Sequence, residues 1–177
     1  MIKWLMKRQL AAFEREFDYD MSYGRQILDA SPGALFRFSL IGPFTSYRDG
    51  VPLAALYAAK IAGTMQEDCG PCTQLMVTMA LKDGVAADVV RGIVARDPAA
   101  MTPDAALGFR FAQASLAHEP AHELRDEVVK RWGKKALVSL AFGLASARIF
   151  PTLKYALGHG EACMKVRVAG SEIAVAK

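Results

Sequence analysis

Ile2, Leu5, Met6, Leu10, Phe13 and Phe17 follow one another at helical steps, with Lys, Arg and Glu on the remaining face. The chain is therefore expected to begin with an amphipathic helix. The pattern predicts a short helix over 22–30. A third follows, with Ser31 as N-cap and Pro32 at its first position, and runs through GALFRFSLI to a stop at Gly42-Pro43. TSYRDG supplies turn residues, and VPLAALYAAKIAGTM resumes a helical pattern with Pro52 in its first turn. Further helices are expected from GPCTQLM to about 83, over 85–96, and over 103–118 behind Thr102 as N-cap. Another runs from Pro120 to a stop at Gly133, with acidic residues early and Lys130 and Arg131 late, the order that the helix dipole favours. A strongly apolar helix over 134–150 and a shorter one over 151–158 complete the set. The tail CMKVRVAGSEIAVAK alternates apolar and polar residues, as a small hairpin turning at AGSE would. The expectation is an all-α, compact multi-helix domain, one unit over 1–177, without internal repeat or linker.

Composition narrows the classes. A chain of 177 residues builds one sizeable core, and its 53% hydrophobic share, carried by Ala, Leu, Val and Met, suits packed helices. The apolar run Ala136–Ala147 stops at Arg148, short of the ~20 residues that span a bilayer. Lys3, Lys7, Arg8, Glu14 and Arg15 interrupt the N-terminal segment, so it has no signal-peptide core. A cytoplasmic protein with no membrane partner is expected. The net charge of +4 is spread along the chain, which argues against nucleic acid. Trp4 and Trp132 are expected in the core or at a subunit interface, and the apolar share and the amphipathic first helix point to a homo-oligomer.

Chemistry concentrates in QEDCGPCTQLM, residues 66–76, which holds two of the three cysteines. With a helix starting near Gly70, Pro71 lies in the first turn, where its missing N–H costs nothing. Cys69 and Cys72 then share the helix N-terminus at a spacing that a disulfide can bridge. The free N–H groups and the dipole favour a thiolate there, so at least one sulfur is expected to be exposed and nucleophilic. Glu67 and Asp68 oppose this by charge, although a carboxylate can also take a thiol proton. The alternatives are two inert, packed cysteines, or a zinc site completed by His159 and Cys163. HEPAH at 118–122 formally matches a zinc-protease motif, but Pro120 breaks the single helix that motif needs. Gly-rich phosphate loops are absent, and no cofactor or metal is expected.

CGPC is also the thioredoxin tetrad, but thioredoxin needs a β-strand before it, and AALYAAKIAGTMQ reads as helix. A helical domain with EDCGPC opening a helix instead resembles the alkylhydroperoxidase D-like branch of the carboxymuconolactone decarboxylase family. The likeness of architecture covers most of the chain, and the motif is confined to about 57–76. The resemblance implies a helical subunit assembled into trimers or hexamers. It would reduce peroxides or pass electrons to a peroxiredoxin, with Cys72 oxidised to sulfenic acid and Cys69 as resolving and proton-donating partner. The family has a His four residues after the second cysteine, where Met76 stands, and a Glu three turns ahead of the first, near Tyr57. A thioether has no proton and a phenol ionises near pH 10, so neither relays protons at neutral pH. Glu67 is the nearest replacement base. The functional expectation is a thiol-disulfide oxidoreductase of antioxidant defence, acting on a hydroperoxide or disulfide with a peroxiredoxin or dithiol reductant. The alternative is a non-catalytic helical oligomerisation module with a structural or zinc-binding cysteine pair.

Overall fold

The computed structural model describes residues 2–162 and 165–175. The chain is all-α with a small C-terminal hairpin. Its helices are α1 (Ile2–Phe17), α2 (Ser22–Ala30), α3 (Pro32–Ser39), α4 (Gly42–Ser46), α5 (Leu53–Gln66), α6 (Gly70–Lys82), α7 (Ala87–Val94), α8 (Pro103–Leu116), α9 (His122–Trp132) and α10 (Lys134–Ala156). β1 (Lys165–Val168) pairs antiparallel with β2 (Ser171–Ala174) across Ala169 and Gly170, both with positive φ, as a tight hairpin requires. Ser31 and Thr102 cap their helices as expected, accepting from the amides of Ala34 and Ala105.

Two boundaries differ from the pattern. The stop at Gly42-Pro43 is instead the first turn of the short α4. The two helices expected on either side of Pro151 are one, with Pro151 buried inside α10. Proline removes one ladder bond. The Thr152 hydroxyl donates to the Arg148 carbonyl at 2.8 Å, and burial on both sides of the site holds the helix together.

The main core is built around α5, which packs on α8, α10, α6 and α7. Ala55, Ala58, Ala59 and Ala62 let neighbouring backbones approach. At the α5–α8 crossing, a Cβ on Gly108 would stand 2.3 Å from the Ala55 carbonyl oxygen, so only glycine fits. A second, smaller cluster joins α1, α2 and α3 through Leu10, Tyr19, Met21, Tyr23, Leu28 and Leu35, with Leu75, Leu153 and Leu157 packed against it. Trp132 packs on the main core, whereas Trp4 is 64% exposed. Among the described residues, α10 is long and apolar enough to cross a membrane by length and composition alone. It packs along α5 and carries the buried Lys154.

Candidate redox site

The turn between α5 and α6 sets the cysteines in place. Asp68 takes a left-handed conformation (φ 49°), which Asp tolerates better than most side chains. The Cys69 amide reaches back to the Thr64 carbonyl and the Asp68 amide to that of Met65, the paired bonds of a Schellman ending. Cys69 thus closes α5 and, in extended conformation, caps α6, with Pro71 in the first turn. The new helix leaves amides to be satisfied. That of Gly70 donates to the Glu161 carbonyl, so the 158–162 loop lies over the motif. The Tyr155 hydroxyl adds a bond to the Asp68 carbonyl at 2.8 Å.

The two sulfurs lie 2.6 Å apart and share a hydrogen bond. They are not exposed, as the sequence had suggested: Cys69 is 0% and Cys72 3% accessible. The N-terminal cluster and the 158–162 loop cover a helix start that would otherwise face water. Access survives on one side, because Cys72 forms part of the wall of a cavity of about 820 Å³ between the two hydrophobic clusters.

Either sulfur can hold the shared proton by geometry, and the surroundings place it on Cys72. Cys69 is lowered to about 7, chiefly by the hydrogen bond from Cys72; burial opposes, and the Cys72 amide and Lys154 assist. The same bond and burial push Cys72 up. The pair loses its first proton easily and holds the second tightly. Charge thus favours Cys69 as thiolate, while Cys72 is the sulfur that borders the cavity.

Two neighbours escaped the sequence reading. The Tyr19 hydroxyl stands 3.9 Å from the Cys72 sulfur, and burial raises its pKa, so it remains a phenol with a proton to give. Lys154 is 1% exposed, its ammonium 4.8 Å from the Tyr19 ring centre and 5.6 Å from that of Tyr23. Among the described residues no carboxylate lies within ion-pair distance of it. The available signals were the Tyr19/Tyr23 pair and one lysine on the buried face of an apolar helix, a costly placement unless it does something.

Glu67, expected as the base, caps the end of α5 and carries an ion pair to Arg148. Lys154 and Glu161 are among the charges that act on Cys69. Met76 and Tyr57 both border the cavity, but the Tyr57 hydroxyl donates to Asp83 at 2.8 Å. His118 and His122 do not share a helix: α8 stops at Leu116, His118 has a φ of 56°, and α9 starts at His122. His159 lies against Gln26, and the zinc reading that used Cys163 falls outside the described residues. Among the described residues no group of three or more His, Cys, Asp or Glu side chains is placed to hold a metal ion. Comparison with family models, with curated proteins and with solved structures returns no match, so the chemistry of this site rests on its own geometry.

Proposed function

We propose that the protein is a thiol-disulfide oxidoreductase of the antioxidant type, cycling Cys69 and Cys72 between dithiol and disulfide, with an organic hydroperoxide as oxidant. One observation carries this reading: two sulfurs in contact at a helix N-terminus, with a phenol and a buried ammonium beside them, at the wall of a cavity. An inert pair needs neither the cation nor the opening.

The step is balanced by the dithiol alone. The Cys72 sulfur, its proton passing to Cys69, attacks the terminal peroxide oxygen; the O–O bond breaks, and Tyr19 protonates the departing alkoxide to an alcohol. Cys72 is then a sulfenic acid. Cys69 attacks it, the S–S bond forms, and hydroxide leaves as water with the remaining thiol proton, while Tyr19 is reprotonated from solvent. Two electrons pass from the sulfurs to the peroxide. A dithiol or a peroxiredoxin partner would close the cycle by thiol-disulfide exchange.

Replacing either cysteine by Ser should lower dithiol-dependent hydroperoxide reduction on the order of 10³-fold or more. Full turnover by the Cys72→Ser protein would remove the proposal. We also propose a homo-oligomer, since Ile2, Trp4 and Leu5 on α1, Phe36 on α3 and Leu40 just after it are at least half exposed. Sedimentation at micromolar concentration should give a mass above the 19.2 kDa of one chain, and a monomer would refute that part alone.

A further inference from the structure

The cavity has a direction. Cys72, Leu75, Met76, Met79 and Lys82 fall on one face of α6 and, with Asp83 at its C-cap, form the floor. The eleven steps from Cys72 to Asp83 make a trough about 16 Å long at 1.5 Å per residue. Around Cys72 the cavity is lined by the buried Tyr19 and Tyr23, whereas at the other end Glu16, Arg48, Lys82 and Asp83 are exposed. The walls between are apolar, with Phe13, Leu35, Phe38 and Phe150 facing the methionines.

The charges at the open end do not cancel. Arg48 pairs with Asp83 at 2.6 Å and Lys82 with Glu16 at 3.7 Å. Lys60 is left over. Its ammonium donates to the Thr45 carbonyl at 3.1 Å and lies 5.6 Å from the Tyr57 ring centre, and among the described residues no carboxylate is within ion-pair distance. A cation in a largely apolar wall lacks an anion.

We infer that the trough holds a long-chain monocarboxylate, its carboxylate on Lys60 and its chain along α6, so that the hydroperoxide reduced at Cys72 is that of a fatty acid. An extended chain advances about 1.2 Å per bond, so the roughly 10–16 Å from Cys72 to the stretch between Met79 and Asp83 places the peroxide roughly eight to thirteen bonds from the carboxylate. Binding needs no redox step, while the choice of hydroperoxide rests on the function proposed above. The two are separable by experiment.

Binding is read with cis-parinaric acid, a fluorescent C18 carboxylate, on the Cys69→Ser/Cys72→Ser protein and on wild type held as the disulfide, so that misfolding of the variant leaves a second reading. Saturable one-to-one binding is expected, displaced by myristate at least tenfold better than by tetradecanol. Lys60→Met and Lys60→Gln should abolish that preference without loss of helical signal. No binding to either protein, or equal displacement by acid and alcohol, overturns the inference. In reduced wild type, linoleic acid hydroperoxide should oxidise the pair at least tenfold faster than its methyl ester. Equal rates overturn the Lys60 contact. If parinarate binds but no hydroperoxide oxidises the pair, the redox proposal fails and the trough stands; if small hydroperoxides oxidise it and no fatty acid binds, the reverse holds.

Discussion

The two hydrophobic clusters are built from different side chains and do different work. The main core is Ala- and Val-rich around α5, with Ala55 and Gly108 bringing backbones into contact. The outer cluster meets through rings, Phe13 on Tyr19, Tyr19 on Tyr23 and Tyr23 on Phe38, nearly edge-on at 6.0–6.4 Å between centres. Small residues allow close packing and few gaps; large rings held at their edges leave space. The cavity lies where the two meet. The rigid side contributes Cys69 and Cys72 on the α5–α6 turn, and the aromatic side contributes Tyr19. The sulfurs therefore belong to the closely packed side, and the cavity beside them to the seam with the rings.

The contrast is sharpest in stability. Leu107→Ala, fully buried in the main core, should cost about 3 kcal/mol as transfer and cavity terms add. Phe38→Ala, half-buried and already facing open space, should cost only about 1 kcal/mol. Urea midpoints of the two variants, at equal slope, test this. Equal losses would mean that the outer cluster is packed as tightly as the inner one.

A smaller effect separates the phenol from the carboxylate. Tyr19→Phe keeps the ring in its cluster and removes only the hydroxyl near Cys72, so hydroperoxide turnover should fall about tenfold to a hundredfold, at the low end of general-acid contributions. Glu67→Gln breaks the surface pair with Arg148 and should change turnover less than about threefold, the scale of an exposed ion pair. The reverse order would restore the carboxylate as proton carrier and leave Tyr19 a packing residue.

The helices were legible because their signals are local. Ser31 and Thr102 cap where they should, and the stop at Gly133 is real. The helix start at the cysteines was legible too, since Pro71 fits only a first turn. Pro151 misled because tertiary burial overrode a local rule. The surroundings of the sulfurs were hidden for a different reason. Tyr19 is 53 residues from Cys72 in the chain, and nothing in the spacing of either announces the other. Glu67 was found by its proximity in sequence, but its ion pair with Arg148, 81 residues away, was not legible there.

Lys154 gives the finest test, because it touches both halves: its helix belongs to the inner core, its ammonium to the aromatic cluster. It favours the thiolate, behind the hydrogen bond from Cys72 and the Cys72 amide, so Lys154→Met, which keeps most of the stem, should raise the first ionisation of the pair. Iodoacetamide alkylation of the reduced protein should therefore climb through about pH 7 in wild type and correspondingly later in the variant. Stability follows with a definite sign. A thiol whose folded value, about 7, lies below its ordinary 9.0 binds fewer protons folded than unfolded between those values. Reduced wild type should gain stability as pH rises from 7 to 9 and lose that gain as pH falls back through 7, by an amount that shrinks in the variant. Superimposable alkylation profiles would detach the lysine from the sulfurs and leave the hydrogen bond from Cys72 as the source of the low value.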